Sequence, residues 1–255
     1  MLTRAHLDAL RRYEIDRVLA LVSASRGAVL EIGAAGGFQA ALLAGHFDRV
    51  AAIDLPQSIP AGGTAFPVQP YDGQRLPFPD RSFDVVFSSN VLEHIPHVEA
   101  FQAEIRRVLK PSGRAVHVLP SASWRLWTTL THYLDLPARV LARLGGRNEP
   151  PSGALVAAPA PAKPGLAARL GNLLFEYRHG ERGTTLGELY LFSRPAWRAL
   201  FRRNGFVVER AVPLGLFYTG YSLCDSALGI PARRTLASIL GSATVLYVLR
   251  DDSAA

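Results

Sequence analysis

A chain of 255 residues, 49% hydrophobic and 19% charged, is long enough to bury one good core with room for a small appended subdomain. Its single cysteine, Cys224 in the apolar stretch YSLCDSAL, excludes an internal disulfide or a cysteine-based metal cluster and reads as a buried small hydrophobe. No run of about 18 apolar residues suggests a membrane span, and the net charge of +7 does not by itself indicate nucleic acid, because only Lys110 and Lys163 among the 28 basic residues are lysine and the arginines are scattered.

The opening MLTRAHLDALRRYEIDRVLALV carries charge throughout and lacks the apolar core of a signal peptide, so the expected location is the cytoplasm, with contact to a membrane surface left open. Leu7, Leu10, Ile15, Val18, Leu19 and Val22 fall near helical spacing and predict an amphipathic helix. GAVLEIG (27–33) is a buried strand, GFQAALLAGHF (37–47) a helix and RVAAIDL (49–55) a second strand. Three prolines and two glycines in 56–67 leave room for only a very short helix. FPVQPYD (66–72) predicts a third, edgeward strand, and SFDVVFSS (82–89) a fourth. HVEAFQAEIRRVLK (97–110) follows as a helix, PSGR (111–114) breaks it, and AVHVLPS (115–121) is the fifth strand.

Residues 121–190 leave this rhythm. SWRLWTTLTHYLDLPARVLARLGG reads as helix, five prolines between 150 and 164 read as a loop that admits substrate, and LAARLGNLLFEYRHGERG begins as helix before turning. SRPAWRALFRRNG is a short helix with Ser193 as its N-cap and Gly205 as its stop, followed by strands FVVERAVPLG and SATVLYVLR. The expected architecture is a Rossmann-like, seven-stranded, mostly parallel sheet with helices on both faces and an antiparallel edge strand. It divides into an N-terminal helix (1–26), a ligand-binding core (27–121), a helical and proline-rich insertion acting as a substrate lid (122–190) and the C-terminal part of the sheet (191–255).

Chemistry concentrates where the first strand runs into Glu31-Ile-Gly33-Ala-Ala35-Gly-Gly37 and then a helix. Glycines let a ligand approach the backbone, and the helix start offers unpaired N–H groups. The spacing is G-x-A-x-G rather than G-x-G-x-x-G, which disfavours a nicotinamide cofactor. Asp54 ends the second strand, 21 residues beyond Gly33, where a carboxylate can accept both ribose hydroxyls of an adenosine ligand.

With VLEIGAAGG (29–37), AAIDL (51–55), DGQRLPFPDRSFDVVFSSNVLEHI (72–95) and RVLKPSGRAVHVLPS (107–121), the chain resembles the class I methyltransferases that depend on S-adenosylmethionine (SAM), in the small-molecule, type 11-like group with an L-P-F-x-D-x-S-F-D signature. FSRPAWRALFRRNGFVV (192–208) is similar to that family's late helix and strand. The resemblance implies that Glu31 and the Gly33, Ala35 and Gly37 loop hold the amino-acid end of SAM. Asp54 would bind the ribose, Leu55 would lie beside the adenine, Asp72 would accept from the adenine amine, and Gly73 would offer a backbone N–H. Ser89 and Asn90 would line the methionine portion. Ala35 stands where many relatives carry glycine, and alanine is tolerated there if its φ is negative.

Methyl transfer from a sulfonium is a one-step displacement that rests on positioning, with a general base needed only for a hydroxyl or a protonated amine. His94, at the carboxyl end of the fourth strand, is the candidate base. His132, Tyr133, Glu176 and His179 are weaker candidates, and His117 in mid-strand reads as structural. No group of His, Asp and Glu shows metal-ligand spacing. Nucleic acid is not the expected acceptor, since the amino-methylating motif of Asp or Asn, two prolines and an aromatic is missing and Cys224 lacks a preceding proline. The mixture of Trp124, Trp127, Leu130, Tyr133 and Leu134 with Arg125, Arg139 and Arg143 suits either a helix at a membrane interface or a lid packed on the core. A small hydrophobic acceptor such as a lipid, quinone, polyketide or lipid-linked glycan is expected. The alternatives are a nicotinamide-dependent oxidoreductase and a SAM-binding scaffold without catalysis.

Overall fold

The computed structural model describes residues 4–22, 26–144, 178–220 and 227–254. Seven strands hydrogen-bond into one sheet: β1 (Ala28–Ile32), β2 (Arg49–Asp54), β3 (Gln69–Pro70), β4 (Phe83–Ser89), β5 (Leu109–Pro120), β6 (Phe206–Pro213) and β7 (Thr244–Asp251). Their order is β3-β2-β1-β4-β5-β7-β6, with β7 antiparallel to both neighbours and the remaining pairs parallel. Seven helices accompany them among the described residues: α1 (Arg4–Val22), α2 (Phe38–Leu43), α3 (Val98–Val108), α4 (Ala122–Leu144), α5 (Gly187–Leu191), α6 (Arg194–Arg203) and α7 (Ile230–Leu240).

Side chains alternate across each strand, so one sequence feeds two cores. Leu30, Ile32, Val86, Ala115 and Tyr247 face Val98, Phe101, Ile105 and Val108 of α3 and Trp197, Leu200 and Phe201 of α6. Val29, Val85, Phe87, Val116, Val118 and Leu246 face Ile15, Val18 and Leu19 of α1 with Leu43 of α2. Burial on both faces is why β1 reads as an almost unbroken apolar run in which Glu31 is the exception. The strand order reverses between β1 and β4, and the loops leaving β1, β2 and β4 meet at that point. Open α/β sheets hold their ligands in this crevice.

Two elements differ from expectation, each for a local reason. β3 is only two residues long, because Pro67 and Pro70 have no N–H to give a ladder; it pairs with Ile53 and Asp54 alone. α3 stops at Val108, and the next residue already pairs with Phe83, so the PSGR break lies inside β5 as an irregularity in the β4 register. α4 runs through Pro137, in keeping with the helical reading of this segment. The expectations for the proline-rich stretch 147–165, the helical segment 166–177 with Glu176, and Cys224 lie outside the described residues. No helix among the described residues is long and apolar enough to cross a membrane.

Candidate active site

The turn after β1 is built from left-handed residues: Gly33, Ala35 and Gly37 have φ of 78°, 44° and 72°. A side chain at Gly33 would run into Val91, and one at Gly37 would lie 2.7 Å from the carbonyl oxygen of Phe66, so close packing adds to the conformational demand. Ala35 overturns the condition set for it, since its φ is positive. That conformation costs an L-residue roughly 1–2 kcal/mol. Asp54 helps to offset the cost: the Ala35 N–H donates to Asp54 Oδ2 at 2.6 Å, and the Leu55 N–H donates to Oδ1 at 2.7 Å. Each carboxylate oxygen carries two lone pairs, so both retain one for another donor. Asp54 therefore clamps the turn and still offers acceptor capacity at the end of β2.

Glu31 lies beneath this turn, buried, with Oε2 lacking a hydrogen-bond partner among the described residues. Burial and then the nearby Asp54 charge push its carboxyl up to about 8. On the other side of the crevice Gly73, with φ of 79°, passes so near Leu55 that a Cβ would sit 2.8 Å from Leu55 Cδ2, which brings the two predicted adenine neighbours together. Asp72 is exposed. Its Oδ1 accepts from the backbone N–H groups of Gln74 and Arg75 at 2.8 and 3.0 Å, which holds the carboxyl below its ordinary range. It thus closes the turn it sits in, and its second oxygen has no hydrogen bond in the described structure.

Ser89 ends β4 and Asn90 follows it. Asn90 takes φ of 54°, a conformation asparagine tolerates better than most residues, and its N–H donates to the Val118 carbonyl at 2.8 Å. Its amide oxygen faces the Arg11 guanidinium, which also approaches Ser89 Oγ at 3.4 Å. Arg11 arrives from α1 and pairs with Glu14 at 3.1 Å. Buried Glu14 also accepts from Tyr218 Oη at 2.8 Å and Thr244 Oγ1 at 2.6 Å. Arg11, Glu14, Tyr218 and Thr244 did not figure among the predicted site residues. The available signal was a glutamate on the apolar face of α1, one turn after Leu10 and beside Ile15.

A second polar group gathers one turn further along. Glu93 is buried, and neither carboxylate oxygen has a hydrogen-bond partner among the described residues. Burial pushes its carboxyl up to about 8. The Nε2 atoms of His94 and His179 each lie 3.9 Å from Glu93 Oε1, and the two rings are 4.7 Å apart. The His179 ring also meets Trp124 at 4.6 Å. Desolvation lowers both imidazoles, His179 to about 3, so each is neutral at pH 7. The chain around His179 is anchored at several points. Glu181 N–H donates to the Glu93 carbonyl at 2.8 Å, while Glu188 Oε1 accepts from the N–H groups of His179 and Gly180 at 2.7 and 2.6 Å. Glu188 Oε2 lies 3.3 Å from Arg125 Nε in a fully buried ion pair. The tertiary structure thus joins His179 to the predicted base His94 across more than 80 residues of chain. His117 stands apart in mid-sheet, bonded to Ser88 Oγ at 2.8 Å and stacked on Phe201, its imidazole lowered by burial to about 3. His132 is buried in α4 and Tyr133 is exposed.

Residues 30–117, which run from β1 into β5 and include Gly33 through His94, match the family described as a methyltransferase domain. Over these residues the chain is similar to a methyltransferase domain. It is 40% identical over 86 residues to the ubiquinone/menaquinone biosynthesis C-methyltransferase UbiE of Cupriavidus metallidurans, covering 33% of this chain and 34% of that protein. An uncharacterized methyltransferase of Mycobacterium marinum is 33% identical over 138 residues, 49% of this chain and 52% of that one. The chain therefore aligns with only a third to about half of the length of these curated relatives. In fold, it is similar to the SAM-dependent methyltransferase of Mesorhizobium loti (TM-score 0.52, 16% identity, 93% of this chain and 97% of that one). The Aquifex aeolicus SAM-dependent methyltransferase gives a TM-score of 0.52 at 15% identity, with 95% and 94% covered.

The residues of this matched stretch fit SAM, the cofactor that the sequence resemblance implies. The turn that a side chain at Gly33 or Gly37 would fill leaves bare backbone, Glu31 Oε2 is an orphaned buried acceptor, and Asp54 keeps a lone pair on each oxygen.

Proposed function

We propose that this chain transfers the methyl group of SAM to an oxygen or nitrogen of a small, hydrophobic acceptor. The observation that carries this reading is the Asp54-clamped turn at the switch point, inside the matched methyltransferase domain. Glu31 and the backbone of Gly33, Ala35 and Gly37 hold the amino-acid end of the cofactor. Asp54 accepts from the ribose hydroxyls through its remaining lone pairs, while Leu55 packs beside the adenine. Asp72 accepts from the adenine amine with its uncommitted oxygen, and Gly73 offers its N–H. Ser89 and Asn90, braced by Arg11, line the methionine portion. When bound, SAM supplies an activated methyl group, so the residues have to align an acceptor and exclude water. Glu93, His94 and His179 receive the polar atom of the acceptor where β4 ends; His94 is no longer an isolated base in this arrangement.

The hydrophobic character of the acceptor rests on α4. Its buried face is largely polar, with Arg125, Thr128, Thr131 and His132, whereas Leu126, Leu130, Tyr133 and Leu134 on the other face are 42–72% exposed. An amphipathic helix packed only on its own core shows the opposite arrangement. The exposed stripe meets a lipid surface or an apolar acceptor such as a lipid, quinone, polyketide or lipid-linked glycan. The relatives named as C-methyltransferases favour carbon as a second choice of acceptor atom.

Calorimetric titration with S-adenosylhomocysteine tests the cofactor assignment, with Asp54→Ala and NADH as controls. Micromolar binding, about −8 kcal/mol, that is lost in the variant supports it. Absent binding, or tighter binding of NADH, refutes it. Release of S-adenosylhomocysteine across an acceptor panel separates an enzyme from a silent scaffold.

A further inference from the structure

We propose that Glu93, His94 and His179 form a binding site for a divalent transition-metal ion of the Zn2+ or Co2+ class. Their ligand atoms all lie within 4.8 Å of one another, a geometry that arises only because the chain at 178–188 docks on the turn after β4. A tetrahedral ion with bonds of about 2.0–2.2 Å separates its ligand atoms by about 3.3–3.6 Å. The observed 3.9 Å from Glu93 Oε1 to each Nε2 closes to that value with small side-chain rotations.

The independent indication is Glu93 itself. Its side chain is fully buried, both oxygens lack hydrogen-bond partners among the described residues, and Oε1 is the atom that both imidazoles approach. A buried carboxylate without donors is costly, and a cation removes that cost. Two imidazole nitrogens and one carboxylate oxygen select zinc, cobalt, iron or manganese over calcium or magnesium, which prefer oxygen-only sets. Backbone anchoring of His179 and Gly180 by the Glu188–Arg125 pair fixes the distant ligand. The two imidazoles are about one-third exposed, at 32% and 31%, so an ion held there keeps coordination positions open to solvent. Those positions take a water or an oxygen of the acceptor; only this last assignment rests on the methyltransferase reading, and ion binding does not.

The full chain, stripped with a chelator, is titrated with Co2+ and then Zn2+ in competition. One equivalent should bind with a visible-range absorption band that Zn2+ abolishes. Glu93→Gln and His179→Ala should weaken binding at least about 10-fold, while the exposed, distant His46→Ala should not. Should either ligand variant misfold, nitrogen-detected histidine NMR on the wild type decides: Zn2+ must shift the ring signals of two of the seven histidines. No Co2+ binding at millimolar concentration, unaltered binding in both ligand variants, or shifts confined to other histidines overturns the site. Failure of this test with intact S-adenosylhomocysteine binding sinks the metal alone. Metal binding without S-adenosylhomocysteine binding sinks the proposed function and leaves the site standing.

Discussion

Replacing Glu14 with alanine removes the one acceptor shared by Arg11, Tyr218 and Thr244, and so tests how α1 is tied to the crevice. The three bonds measure 3.1, 2.8 and 2.6 Å, and the Glu14 side chain is 1% exposed. A hydrogen bond to a charged group is worth about 1.5–3 kcal/mol, but such contributions overlap when they share one carboxylate. Arg11 is 29% exposed and recovers part of its hydration, so its share is discounted. Two hydroxyls stay behind without their acceptor, which places the loss near the 3–5 kcal/mol seen when one member of a buried pair is deleted. At about 2–4 °C per kcal/mol for a chain of this size, the melting temperature should fall by roughly 6–20 °C. Scanning calorimetry or near-UV circular dichroism reads the shift. Tyr218→Phe and the double variant complete a cycle whose coupling should reach about 0.5–3 kcal/mol. Freed from Glu14, Arg11 also loses its fixed approach to Ser89 and Asn90, so affinity for S-adenosylhomocysteine should drop in the same variant. A melting shift below about 2 °C with zero coupling would refute the claim that this buried carboxylate holds α1 in place.

Asp54→Ala should reduce stability by about 2 kcal/mol as well as abolish cofactor binding, because Ala35 and Leu55 lose their acceptor; an unchanged melting curve contradicts the clamp. Gly37→Ala should cost more than about 1 kcal/mol, combining a positive φ with a clash against the Phe66 backbone, and chemical denaturation checks it. For Glu31, folding raises the carboxyl from 4.5 to about 8, so the folded state binds a proton that the unfolded state has released. The ligand-free protein should then lose stability as pH rises between those values, and Glu31→Gln should flatten that slope; equal slopes in urea melts would show the burial argument to be wrong. Leu130→Glu with Leu134→Glu should abolish flotation with anionic vesicles and leave S-adenosylhomocysteine affinity intact, whereas undiminished flotation means that the α4 stripe is not the contact.

The sheet and the glycine-rich turn proposed to hold the cofactor were legible in the sequence, because both are written in local patterns. Short apolar stretches such as AVL before Glu31, VAAI before Asp54 and VLYVL near the end of the chain marked the strands, and a glycine turn between a strand and a helix marked the crevice. The carboxylate at the end of β2 followed from spacing alone. Even there the legibility stopped at backbone detail. Ala35 takes the positive φ that the residue type disfavours, since Asp54 rewards it from a neighbouring strand, and Asp72 spends one oxygen on its own turn. β3 shrank because a proline costs a ladder bond whatever its neighbours favour.

What only the tertiary structure decided is which distant polar groups share a space. Hydrophobic periodicity says that a face is buried but not what it is buried against. Glu14 on α1 is therefore an unexplained flaw in an apolar face until Tyr218 and Thr244 are brought to it. In the same way His94 and His179 are separate residues in the sequence, and the descent of 178–188 onto the turn after β4 sets both around the unpartnered carboxylate of Glu93. Local propensity shaped the scaffold, whereas the juxtaposition of charge and imidazole comes from long-range packing, which no short stretch of residues encodes.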